Sequence, residues 1–180
     1  MNLFLSALLA LALQAAPSEA GRKAKTDLEG LKTSIKSLMD LRDQQQALAE
    51  QARTGSEDEE RLKKVAAKHQ ELQKTFLELR EKTIKSMEDL LESASKGLEK
   101  TPGDADLLEV RAEANLIYKA PEKALPDLEK LAKLRPEDAD LALKLGRLQH
   151  SQNRYEPAGA NLAKYLRSRG FSSFIKHSPS

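Results

Sequence analysis

A seven-residue stretch occurs twice in this chain, 34 positions apart. It reads Thr101-Pro102-Gly103-Asp104-Ala105-Asp106-Leu107 at first and Arg135-Pro136-Glu137-Asp138-Ala139-Asp140-Leu141 later. Aligning residues 101–134 with residues 135–168 gives nine identities, where chance in a chain so rich in Leu, Ala and Lys gives roughly three. A period of about 34 residues is typical of helix-turn-helix solenoids. The sequence therefore predicts two copies of one helical repeat, 101–134 and 135–168.

Proline and aspartate set the predicted helix boundaries in both repeats. Each repeat opens with a Pro that ends the preceding helix, and Asp104 or Asp138 then follows, placed to cap the next one. Two turns, at 119–121 and 153–155, divide each repeat into two helices. We expect these helices at about Ala105–Tyr118, Glu122–Leu134, Ala139–Gln152 and Glu156–Arg169.

The second repeat resembles the tetratricopeptide repeat family, in which small residues permit close helix crossing and larger ones fill the groove between the helices. The residues that match are Leu145-Gly146, Tyr155, Ala158, Leu162 and Tyr165. The first repeat keeps Ala112, Ala124, Leu128 and the closing Pro136, but it has Arg111 where the family usually has Leu. The resemblance covers residues 101–170, and it implies peptide or protein binding rather than catalysis.

The same resemblance implies a binding groove lined by the first helix of each repeat. It would be acidic at one end and basic at the other, and it lacks the Lys and Asn arrangement with which some members clamp a terminal carboxylate. The family's groove positions fall here on Asp106, Glu109, Glu113, Leu116, Asp140, Leu143, Arg147 and His150.

Residues 26–100 carry the pattern of two long amphipathic helices. Apolar residues recur at steps of three and four from Leu28, and again from Leu62 to Leu79 and from Ile84 to Leu98. A short loop at Gly55 between such helices favours an antiparallel, coiled-coil-like hairpin. Its narrow apolar stripe leaves self-association open, and the end of the second helix is expected to cap the repeats.

The first residues have the pattern of a signal peptide. Leu3–Leu13 is an apolar run too short to span a bilayer, and Ser18 and Ala20 place small residues where a signal peptidase inspects them. We expect a signal peptide over residues 1–20 with cleavage near Ala20, before Gly21. Cleavage after Ala15 or Ala16, and retention as an anchor, are the alternatives. A cleaved chain would be periplasmic or secreted.

Composition argues against several chemistries. The chain has no Cys, and its 30 basic and 28 acidic residues leave a net charge of only +2, far from the excess of a nucleic-acid binder. His69, His150 and His177 have no partner at metal-ligand spacing, and no phosphate-binding glycine loop is present. We therefore expect no catalytic residue, cofactor or metal, and no nucleic-acid partner.

The C-terminal stretch from Lys144 is basic, with seven cations against Glu156 alone. Two functions follow as hypotheses. One is an exported adaptor or scaffold that binds another protein, probably of the cell envelope, through the groove; its order of segments is similar to that of periplasmic coiled-coil and tetratricopeptide envelope proteins. The other is a peripheral binder of an anionic membrane surface or polyanion. Residues 171–180 are expected to form a tail, whose Phe171, Phe174 and Ile175 could fold back over the last helices.

Overall fold

The computed structural model describes residues 18–54 and 59–171 of the chain. All regular structure in these residues is helical, so the predicted all-α class is confirmed. The helices are α1 Glu19–Thr54, α2 Glu59–Lys100, α3 Ala105–Ile117, α4 Pro121–Leu134, α5 Ala139–Ser151 and α6 Tyr155–Ser168. Residues 1–17, with the predicted apolar run, the loop at 55–58, and the tail from 172, with Phe174 and Ile175, lie outside the described residues.

The helices form two compact units. The long-helix unit comprises residues 26–92, from α1 and α2. The array unit comprises residues 18–25 of α1, residues 93–100 of α2, and α3 to α6. The sequence analysis placed this boundary at residue 100, and it began the first helix at Thr26, whereas α1 begins at Glu19.

In the long-helix unit, the apolar stripe of α2 continues without the predicted interruption. Thr83 and Met87 are buried, whereas Ile84 is exposed. The Thr83 hydroxyl donates a hydrogen bond to the carbonyl of Leu79 at 2.7 Å. Because that bond satisfies the hydroxyl, threonine can occupy an inward position where the sequence pattern predicted isoleucine.

In the array unit, α3 packs along α4, α4 against α5, and α5 along α6. Both predicted caps are confirmed. The Asp104 carboxylate accepts hydrogen bonds from the N–H groups of Asp106 and Leu107, and Asp138 accepts one from Leu141. These caps satisfy N–H groups that the first turn of a helix leaves without intrahelical partners.

The turns inside the two helix pairs close in the same way, 34 residues apart. Lys119 and Asn153 both adopt positive φ, 57° and 60°. In the next residue of each turn, the N–H donates back across the turn, from Ala120 to the Asn115 carbonyl and from Arg154 to the Gln149 carbonyl, both at 2.9 Å. The 34-residue period of the sequence is thus also a period of the backbone hydrogen bonds.

The core of the array unit is aliphatic and is shared by α3, α4 and α5. At Gly146 of α5, an added Cβ would lie 2.9 Å from Leu162 Cγ and 3.2 Å from the Ala158 carbonyl oxygen, so α5 and α6 cross closely there. The buried cluster consists of Ala112, Ala124, Leu125, Leu128, Leu131, Leu141, Leu145 and Leu148.

A buried ion pair joins α3 to α4. Arg111 Nε and Nη2 donate to the two carboxylate oxygens of Asp127, each at 2.7 Å. Asp127 is 2% exposed, and Arg111 Nη1 also reaches the Ser95 hydroxyl at 3.3 Å. Arg111, which the sequence comparison marked as a departure from the family pattern, therefore holds α3 against both of its neighbours in this unit.

The end of α2 packs on α3. An added Cβ at Gly97 would lie 2.6 Å from Leu107 Cδ1, and Ala94 and Leu98 are both buried. A side chain at position 97 would therefore displace Leu107, so glycine permits this approach.

Candidate functional site

An open cleft of about 460 Å³ lies between α3 and α5. Such a volume is in the range of cavities that hold ligands in proteins. Apolar side chains provide most of its exposed lining, and charged side chains from α5 accompany them. We call it the α3–α5 cleft; its lining residues are Leu116, Asp140, Leu143, Lys144, Arg147 and Leu148.

Four of the eight predicted groove residues lie together in this cleft: Leu116, Asp140, Leu143 and Arg147. Sequence reasoning missed Lys144 and Leu148. The signal was available, because both follow Asp140 at helical steps of four and therefore share its face of α5.

The predicted acidic end of the groove is compensated by cations. Asp106 is bonded by Lys25 at 2.7 Å and Arg135 at 3.2 Å, and Glu109 by the same two side chains at 3.2 and 3.0 Å. Asp106 and Glu109 therefore already have internal cationic partners. Sequence reasoning assigned neither cation to them, because Lys25 lies about 80 positions earlier in the chain.

The contact with Asp106 changes the titration of Lys25. The hydrogen bond to Asp106 raises the pKa of Lys25 above its ordinary value of 10.5, although partial burial acts in the opposite direction. A raised pKa in the folded state means that this stabilisation is complete below about pH 10.5 and is lost as pH rises through the folded value.

We expect the Lys25→Gln variant to lose this alkaline component of stability. The melting temperature of the unaltered protein should fall more steeply between about pH 9 and about pH 11 than that of Lys25→Gln, since only the former can lose a proton at this position. Lys25→Arg is the matched control, because arginine stays charged at both pH values. Equal pH dependence of the unaltered protein and Lys25→Gln would contradict the expectation.

Ion pairs also occupy most charges of the cleft. Lys144 Nζ lies 2.7 Å from Glu113 Oε1, and Arg169 Nη2 lies 3.1 Å from Asp140 Oδ1. Arg147 is exposed and forms no hydrogen bond or ion pair with another residue of the described ranges. The cleft therefore combines an apolar floor with one cation that has no such internal partner.

His150, the last predicted groove residue, makes an edge-on contact with Tyr155, with ring centroids 5.5 Å apart. It is exposed on α5 and is not among the residues that line the α3–α5 cleft. Glu113 contributes to the cleft indirectly, through its ion pair with Lys144.

Comparison of the chain with protein-family models, curated proteins and solved structures found no match. The resemblance of residues 101–170 to tetratricopeptide repeats thus stays a prediction from the sequence. Within residues 18–54 and 59–171, no helix has the length and hydrophobicity needed to cross a membrane. In that same part of the chain, no three His, Asp or Glu side chains are grouped so that they could hold a metal ion.

Proposed function

We propose that this protein is an exported, non-catalytic adaptor that binds a segment of another protein in the α3–α5 cleft. The single observation that carries the proposal is the combination in that cleft of an apolar floor with the unpaired Arg147. The resemblance to tetratricopeptide repeats favours the same surface, because the first helices of such repeats line the binding groove.

The chemistry of the cleft specifies the kind of segment. Leu116, Leu143 and Leu148 offer apolar contacts for one or two aliphatic or aromatic side chains. The Arg147 guanidinium offers a two-pronged donor for a carboxylate. The partner segment is therefore apolar with an acidic residue nearby. Two repeats give a short groove, so affinity is moderate.

We expect Arg147→Glu to weaken capture of this partner by about tenfold or more, because it places like charges opposite each other in the cleft. The measurement uses a photoreactive crosslinker in place of Leu143 in the full chain, in cells of its own source. Crosslinked partners are identified by mass spectrometry, with and without Arg147→Glu.

The matched control places the same crosslinker at Lys123, an exposed position of α4 that does not line the cleft. The proposal requires a partner that crosslinks at Leu143, does not crosslink at Lys123, and is lost in Arg147→Glu. The same partner at both positions, unaffected by the substitution, would place binding outside the cleft.

The remaining parts of the proposal concern export and assembly. The apolar run Leu3–Leu13 supports an exported chain that works in the periplasm or outside the cell. The buried stripes of α1 and α2 support a coiled-coil-like hairpin, which would set spacing or homo-oligomeric state.

A second candidate is attachment to an anionic membrane surface. It is favoured by Lys164 and Arg167 of α6, which form no ion pair with other described residues, whereas Lys144, Arg154 and Arg169 do. In this case the chain binds vesicles that contain anionic lipid, and binding falls with salt and with Lys164→Glu and Arg167→Glu. Arg147→Glu then has an effect no larger than either.

A further inference from the structure

The first turn of α1 is built into the array unit. The Ser18 hydroxyl accepts a hydrogen bond from the N–H of Gly21 at 2.8 Å, and the Ser18 carbonyl accepts one from Arg22 at 3.0 Å. Ser18 thus caps α1 in the manner typical of serine before a helix. Residues 18–25 belong to the same compact unit as α3 to α6.

The residues that follow Ser18 pack closely on the start of α3. An added Cβ on Gly21 would lie 2.8 Å from Asp106 Cβ and 3.1 Å from Asp104 Oδ1, so only glycine fits there without a shift. Ala24 is 3% exposed, and Lys25 bonds both Asp106 and Glu109. These contacts make residues 18–25 part of the folded unit.

Cleavage before Gly21 would damage this arrangement in two ways. It would remove Ser18 and with it the cap of α1. It would also create an α-ammonium at the N-terminus of a helix, where the helix dipole disfavours a positive charge. Asp104 Oδ1, the nearest carboxylate oxygen to Gly21, already accepts two N–H bonds as the cap of α3.

We infer that a signal peptidase cuts this chain upstream of Ser18, after Ala15 or Ala16, so that the mature protein keeps Ser18 as the cap of α1. Hydrolysis adds one water across that peptide bond, leaving a carboxylate on the released segment and an amine on the mature chain. The inference rests on the proposed export, and it assigns to residues 18–25 a structural role that begins only once the leader is removed.

The test is the N-terminal residue of the exported protein. The full chain is produced with its own leader in a bacterial host that exports it, and the purified product is examined by intact mass and N-terminal sequencing. Ala16 or Pro17 as first residue is the expected result. A product that begins at Gly21 overturns the inference while leaving export intact, and one that keeps Met1 overturns both.

A stability comparison tests the role of Ser18 separately. A chain that begins at Pro17 should melt about 2–4 °C higher than its Ser18→Ala variant and than a chain that begins at Gly21. Ser34→Ala is the matched control, because the Ser34 hydroxyl is exposed and bonds only the Gly30 carbonyl within its own helix. Equal melting temperatures for all these chains would overturn the structural role.

Discussion

Replacing Asp127 by alanine should lower the free energy of unfolding of the array unit by about 3 kcal/mol. The carboxylate is buried and receives both prongs of the Arg111 guanidinium. Its removal leaves that cation without its main partner. Loss of one partner of a buried pair costs about 3–5 kcal/mol, and the lower end applies because the Arg111 side chain is 26% exposed and retains access to water.

Arg111→Leu should cost more than Asp127→Ala, because it leaves a carboxylate that is almost fully buried without its cation. The double variant Arg111→Leu with Asp127→Leu should recover most of the loss, since a buried pair and a packed aliphatic pair are of similar stability. Urea unfolding monitored by circular dichroism measures all three variants.

Arg154→Ala is the control for this series, because its ion pair with Glu129 is partly exposed and should contribute under about 1 kcal/mol. Additive effects of the two leucine substitutions would contradict the pairing. So would a double variant that is less stable than both single ones.

A second large effect is expected for Gly146→Ala, which should destabilise the array unit by about 1–3 kcal/mol. The added Cβ would meet Leu162 at its branching carbon and the Ala158 carbonyl oxygen. Neither atom is the end of a flexible side chain, so α5 and α6 must move apart. Thermal unfolding of the full chain measures the loss.

Gly159→Ala is the matched control, because it introduces the same methyl group into α6 at a position with nothing within 4 Å. It should raise stability by about 0.5–1 kcal/mol, since alanine loses less backbone entropy than glycine in a helix. Equal responses to the two substitutions would show that α5 and α6 do not cross closely at Gly146.

The helices beyond residue 100 could be predicted to within a few residues. Pro102, Asp104, Pro136 and Asp138 act locally, and a cap or a missing N–H has the same effect in any context. The left-handed turn residue Lys119 could not be predicted in this way. Asn and Gly are the residues that signal positive φ, whereas lysine at this position is held by the closure of the turn around it.

The candidate site was predictable where it depends on helix periodicity and not where it depends on tertiary ion pairs. Leu116, Leu143 and Arg147 follow from the phase of α3 and α5. The pairing of Arg111 with Asp127 and of Lys25 with Asp106 joins residues of different helices, and charged residues carry no mark in the sequence of the partner they meet. A signal-peptide interpretation of residues 1–20 also hid the structural use of Ser18.

The identical closure of the two helix pairs restricts how this region can change in length. A whole extra copy of 34 residues would begin and end on the same hydrogen bonds, so the helices beyond it would keep their phase. Deleting one residue within α4 would instead rotate every later contact by about 100° around the helix axis and turn oily side chains toward water. Evolution or engineering can therefore extend or shorten this region only in whole-period steps.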